Sequence, residues 1–203
     1  MPIPGSPPLS LYEQHVRKWL NCTRCPLKEG RVKVCIARGT LPAQIAFVGE
    51  APGEAENVIG TPFIGPSGKL MDHIISQAIP KEFTWVLFNI VGCIPREEGH
   101  EGKLTAPPIE AILACRPKLK EALELANPGL VVCVGAVAKT WVRNHFRTAE
   151  EEWKDVRLSG HTLLTDLIHP AAILKIPSSV QQGFAVKRSI IALAKACENI
   201  LPF

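Results

Sequence analysis

Four short apolar runs recur along the chain: QIAFVG (44–49), WVLFNIVG (85–92), GLVVCVG (129–135) and TLLTDLI (162–168). Each is followed by a segment with helical spacing. After the first run, Pro66-Ser67 opens a helix that carries Leu70, Met71, Ile74, Ile75 and Ala78 along one side. After the second, Pro107-Pro108 fits a helix start, and the helix runs to about Ala126 with Ile109, Ile112, Leu113, Leu119 and Leu123 on one side. A helix to about Phe146 follows the third run, and a last helix covers roughly 181–200. Strands that alternate with helices predict a parallel sheet covered on both faces, so the expected fold is α/β: three layers, α/β/α, around a four-stranded parallel sheet. Upstream, Ser10 and Glu13 form a capping box for a helix to about Leu20. Residues 21–43 read as irregular, and residues 1–8, rich in proline, as a loose tail. That leaves 9–203 as a single domain, within the size that one core can serve.

In open parallel sheets, ligands bind beyond the carboxyl ends of the strands. Three unusual segments stand there: GEAPG, NIVGC and IHPAA. The first opens GEAPGEAENVIGTPFIGPSG (49–68), where Gly49, Gly53, Gly60, Gly65 and Gly68 alternate with acids, prolines and a lone Phe63. A plain connection needs only a few residues. This one is suited to letting a ligand come close to the backbone.

Each candidate residue carries two readings. Glu50, at the first strand end, either positions and activates a water or bonds to loop N–H groups. Phe63, in a stiff Gly-Thr-Pro-Phe-Ile-Gly turn, is either a stacking face for a planar base or a core side chain. Asn89, the polar residue in VLFNIV, must be hydrogen-bonded if buried. Its amide offers a donor and an acceptor, to a base edge or to backbone. His169, before Pro170, either stabilises negative charge on a leaving group or is structural. Glu54 and Glu56 read as loop structure and solvated surface.

The N-terminus lacks a basic segment followed by an apolar one, and no run of eighteen uncharged apolar residues occurs, so a cytoplasmic, reducing location without a membrane span is expected. In that setting seven cysteines point to metal or redox chemistry rather than to a disulfide scaffold. Cys133, in a strand, and Cys197, on the last helix, read as core thiols. Cys22 and Cys25 form a CxxC pair, with Cys93 and Cys115 as single residues; four such sulfurs fit zinc or an iron–sulfur cluster. Cys35 is an alternative ligand.

The net charge of +4 is uneven. Residues 1–38 hold Arg17, Lys18, Arg24, Lys28, Arg31, Lys33 and Arg38 against Glu13 and Glu29, a local excess of +5. Such a surface suits a polyanion such as DNA, or is simply a solvated basic face.

Taken together, these segments resemble the family 4 uracil-DNA glycosylases. The resemblance lies in CTRCPL, GEAPGEAENVIGTPFIGPSGKLMDHII, FNIVGCIP, PPIEAILACRPKL, PGLVVCVGAVA and IHPAAIL, in the family's order, across about residues 18–200. It implies a four-stranded parallel sheet between helices and a [4Fe–4S] cluster held by Cys22, Cys25, Cys93 and Cys115. It implies that Glu50 activates water, that Phe63 stacks on a flipped base, that Asn89 reads the base edge and that His169 stabilises the departing base. The backbone at Ala51 would line the pocket. The expected activity is monofunctional: uracil or a related deaminated or modified base is flipped out of DNA and excised by hydrolysis of its N-glycosidic bond, leaving an abasic site. The protein would act as a monomer.

The chain departs from the family pattern in four places. The acidic pair after the glycine loop is Glu56-Asn57. The lysine usual before the third cysteine is Gly92. The serine of an HPS motif is Ala171. The loop between the third and fourth cysteines, REEGHEGKLTAPP, is long. That loop resembles the one in UdgX-type members, which attach covalently to uracil-containing DNA through a loop histidine. Here it holds His100 but lacks their KRRIH motif. A covalent or non-catalytic uracil-DNA binder is therefore the first alternative, and an iron–sulfur DNA-binding or redox module the second.

Overall fold

The computed structural model describes residues 10–97, 103–145 and 162–200. The tail at 1–8, and His100 with its neighbours, lie outside these residues. In chain order the elements are α1 (Leu11–Trp19), β1 (Arg38–Gly39), β2 (Ile45–Gly49), α2 (Glu54–Ile59), α3 (Pro66–Ala78), β3 (Trp85–Asn89), α4 (Ile109–Ala126), β4 (Leu130–Val134), α5 (Ala136–His145), β5 (Leu163–Leu167), α6 (Pro170–Leu174) and α7 (Ser179–Cys197).

The four apolar runs form β2, β3, β4 and β5, all parallel, in the spatial order β3-β2-β4-β5. The sheet has a fifth strand that the expectation lacked. β1 pairs antiparallel on the outer edge of β3 through Arg38↔Leu87 and Gly39↔Val86. Two residues are too few to carry a periodicity. The pairing depends on Gly39, whose φ of 120° and close approach to the Trp85 carbonyl no side chain would allow. Arg38 fixes this edge to α3 with two bonds to the Asp72 carboxylate, at 2.6 and 3.0 Å.

Alternate side chains of each strand enter opposite cores. Ala46, Val48, Val86, Phe88, Val131 and Cys133 meet α1, α4 and α5 on one face. Ile45, Phe47, Leu87, Val132 and Leu167 meet α3 and α7 on the other. Burying each large apolar side chain contributes ~1.5–3 kcal/mol. The capping box at α1 is formed as expected: Glu13 N–H donates to Ser10 Oγ, and Ser10 N–H donates to the Glu13 carboxylate. Two short helices, α2 and α6, were not anticipated; glycines flank one and a proline opens the other.

Sheet order decides where a ligand fits. From β2 the chain crosses to β3 on one side and later returns to β4 on the other. The carboxyl ends of the strands beside this reversal leave a crevice.

Candidate active site

A cleft of about 620 Å³ opens at those strand ends. Glu50, Ala51, Phe63, Asn89 and His169 all line it, so the residues singled out from the sequence for base binding and catalysis converge on one place. They come from the ends of β2, β3 and β5 and from the loop before α3.

Gly49 sets the close spacing of this site. A Cβ there would stand 2.4 Å from Phe63 Cζ and 2.5 Å from Asn89 Oδ1. Only a glycine lets the ring and the amide close over the end of β2. Phe63 itself has φ 57°, the left-handed region that bulky residues avoid. Such a conformation costs on the order of 1–3 kcal/mol and persists where surrounding contacts over-determine it. Here the contacts are identifiable. Glu56 is buried, and one of its carboxylate oxygens accepts N–H bonds from Ile64 and Gly65, at 3.0 and 2.9 Å. The backbone of Phe63 also rests against Gly68 in the first turn of α3, where a Cβ would lie 1.9 Å from its carbonyl oxygen. Glu56 is therefore not the solvated surface residue expected; it anchors the turn that presents Phe63. Glu54 is exposed and pairs with Arg96 at 2.6 Å. Asn57 is buried and accepts from Val32 N–H at 2.8 Å, fixing the irregular segment to α2.

Phe63 is 5 % exposed, and its ring belongs to the core on the α3 side as well as to the cleft wall. The two readings of this residue combine: it is a core side chain with one face left to the cleft. The His169 ring lies 6.2 Å away at an interplanar angle of 27°.

Asn89 is 3 % exposed, yet no group among the described residues hydrogen-bonds its side-chain amide. Among the described residues nothing realises the backbone bond of the structural alternative, and a polar amide lining a cleft is available to a ligand or water. Glu50 is half-buried, and its carboxylate likewise meets no N–H among the described residues. Burial raises its pKa above the usual carboxylate value. His169 caps α6: its Nδ1 accepts from Ala171 N–H at 3.1 Å. With Nδ1 an acceptor, the neutral ring carries its proton on Nε2. Burial, and then the Lys175 charge, hold its pKa below the usual histidine value. Gly135 lies against the ring with φ 93°; a Cβ there would be 3.0 Å from that of His169.

Residues not foreseen also line the cleft: Pro95, Leu104, Thr105 and Lys175. Pro95 borders the long loop and Leu104 and Thr105 lie in it, where no periodicity marks them. Lys175 stands exposed just past α6.

A second group of side chains gathers between the irregular segment and α4. Cys22 and Cys25 pack against the core that contains Cys93 and Cys115. Cys25 is close enough to Cys115 and Cys22, and Cys93 to Cys115, for their charges to interact. Arg31 Nη1 donates to Cys93 Sγ at 3.7 Å. Cys35 is engaged elsewhere, with Sγ donating to the Glu56 carbonyl at 3.2 Å. No group of three or more His, Cys, Asp or Glu among the described residues converges as a single-ion site. Cys133 and Cys197 are core thiols as expected, pushed up by burial to about 12 and about 11.

The Uracil DNA glycosylase superfamily model matches residues 37–194 of this sequence. The chain belongs to the Uracil DNA glycosylase superfamily. Among its relatives in that superfamily, the type-4 uracil-DNA glycosylase of Saccharolobus solfataricus is 30% identical over 179 residues, 83% of this chain and 78% of that protein. That of Archaeoglobus fulgidus is 28% identical over 170 residues, covering 80% and 82%. The match to that of Thermotoga maritima is 32% identical but shorter, 130 residues, 64% of this chain and 63% of the relative.

In this superfamily member the N-terminal basic excess is partly engaged by other side chains. Arg38 is tied to Asp72, Arg31 to Cys93, and Lys18 to Glu121. Lys18 and Arg24 lie 5.2 and 5.4 Å from the Trp19 ring. Arg17, Arg24, Lys28 and Lys33 remain exposed. Among the described residues no helix is long and apolar enough to cross a membrane.

Proposed function

We propose that this superfamily member is a monofunctional uracil-DNA glycosylase, acting as a monomer in the cytoplasm, with its activity in a single domain over 9–203. The observation that carries the reading is the amide of the buried Asn89 lining the same cleft as the Glu50 carboxylate and the His169 ring, with neither the amide nor the carboxylate hydrogen-bonded among the described residues. A uracil inside a duplex is out of reach, so it must be flipped into such a pocket. Asn89 would bond the donor and acceptor edge of the base, and Phe63 would cover one face. As the N-glycosidic bond breaks, the sugar gains oxocarbenium character and the base gains negative charge. Glu50 would hold water toward C1′ and take its proton. His169 would donate from Nε2 to the anion on the base. Lys175, exposed at the rim, suits a phosphate contact. The products are free base and an abasic site. Incubation with excess uracil-containing oligonucleotide tests this: free uracil should exceed one equivalent per chain. A yield that stops at one equivalent would sink it.

The Phe63 assignment has its own test. Phe63→Ala should weaken binding of uracil-containing DNA by ~1–3 kcal/mol, the range of base–aromatic stacking. Abasic DNA should lose much less, because its phosphate contacts are unchanged. Equal losses on both would mean that only the fold was damaged.

The four cysteines suit a [4Fe–4S] cluster. In such a centre each sulfur binds a different iron, so the thiols need not converge on one point; burial pushes the Cys93 thiol up to about 11, and the Arg31 bond to its Sγ works against that, toward the thiolate. Cys22, Cys25, Cys93 and Cys115 would hold it. The group supplies a cross-link between the irregular segment and α4. Anaerobically purified protein should contain about four irons per chain. Stoichiometric zinc without iron would overturn the assignment. Cys22→Ala should lower soluble yield.

A further inference from the structure

We infer that the Lys118 ammonium, together with the Arg31 guanidinium, is the built-in counter-charge of the four-cysteine site and sets the reduction potential and retention of its cluster. The inference rests on the iron–sulfur reading above.

Lys118 lies on α4 three residues after Cys115, on the same side of the helix. It is 3 % exposed. Lysine is almost never so buried without a partner of opposite charge. Among the described residues no carboxylate forms an ion pair with it. The acids on neighbouring elements are engaged otherwise: Glu121 by His15, Lys18 and Trp19, and Glu56 by the N–H groups of Ile64 and Gly65. Cys93, Cys35 and His15 are among the groups within electrostatic reach of Lys118.

The place of the ammonium is specific. It stands 2.9 Å from where a Cβ of Gly92 would be, beside the residue that leads into Cys93. The Cys35 carbonyl oxygen and Val34 Cγ1 crowd the same point, each at 3.0 Å. A side chain at position 92 would displace the ammonium, so glycine there is the condition for Lys118 to reach the site. This accounts for a polar residue on the buried side of α4 and for a missing side chain before Cys93 with one arrangement.

The charges balance. Four thiolates around a [4Fe–4S]²⁺ core carry about −2 in total. Lys118 and Arg31 supply one positive charge each. Burying either sign alone is expensive, and burying the two together offsets much of that cost. Cys35 does not furnish the anion, since its Sγ serves as a donor to the Glu56 carbonyl.

Removing a fixed positive charge favours the less negative, oxidised cluster, so the midpoint potential should fall. The test compares iron-loaded wild type with Lys118→Met, which keeps the volume and loses the charge, and Lys118→Arg, which keeps the charge. Protein-film voltammetry reads the midpoint, and the bleaching rate with an iron chelator reads retention. Lys118→Met should shift to lower potential and bleach several-fold faster, and Lys118→Arg should stay near wild type. Lys118→Gln, uncharged but hydrogen-bonding, is run in parallel so that poor folding of one variant does not end the test. Uncharged variants with iron content, midpoint and bleaching equal to wild type would overturn the proposal and leave the cluster standing. An iron-free, zinc-loaded wild type would overturn both.

Discussion

Glu50→Gln should reduce uracil release ~10²–10⁴-fold, the range a positioned general base contributes. DNA binding should change little, because the amide keeps the shape and volume of the carboxyl. The expectation follows from the setting of the side chain. Glu50 leaves β2 into a cleft, and no N–H among the described residues claims it. A structural carboxylate would resemble Glu56, with its two N–H donors. Burial raises the Glu50 pKa, which makes its ionised form a stronger base toward water than an exposed glutamate. The raised value also fixes the sign of the pH dependence. Base function requires the ionised form, so kcat should fall as pH drops through a value above that of an ordinary glutamate. The mutant should lose this acid limb. Single-turnover release measured across pH, beside a binding titration, reads both effects. Release within a few-fold of wild type would remove Glu50 from the chemistry.

His169→Ala should slow release ~10²–10³-fold, as expected for loss of one donor aimed at developing negative charge. The direction of that donor is set by α6. Ala171 N–H occupies Nδ1, which leaves the proton on Nε2. Burial and Lys175 disfavour the imidazolium, and protonating Nδ1 would also break the cap. The neutral ring is therefore the working form. Activity should be flat with respect to this residue above the usual histidine pKa of about 6.5 and should decline only below its lowered value. The effect should fall on kcat more than on KM, since the anion exists only as the bond breaks. Because His169 also caps a helix, truncation costs ~1 kcal/mol of stability. His169→Asn separates the two roles. It can cap but cannot place a donor where Nε2 stands, so it should recover the melting temperature and not the rate. Recovery of both would make His169 purely structural.

The sequence by itself determined the sheet. β2, β3 and β4 are short and largely buried on both faces, β5 is a half-buried edge, and all four are separated by helices, so their apolar runs stand out and predict a parallel arrangement. It also marked Glu50, Asn89 and His169 at strand ends and Phe63 in its glycine–proline turn, because chemistry-bearing residues in such settings are visible without coordinates, and the family resemblance added the backbone of Ala51. Tertiary structure decided what depends on contacts between distant segments. β1 exists because Gly39 fits against Trp85, a pairing that its two residues cannot announce. Glu56 looks like a surface acid in a polar stretch. Its role appears only when α2 folds it back onto the N–H groups of the Phe63 turn. The spacing of the cysteines left Cys35 open as a substitute ligand; the fold turns its Sγ toward the Glu56 carbonyl and brings Arg31 to Cys93. Lys118 reads as one more polar residue on an amphipathic helix. Its burial follows from a space that Gly92 leaves open twenty-six residues earlier, and sequence patterns register the period of a helix but not the volume that a neighbouring segment leaves empty.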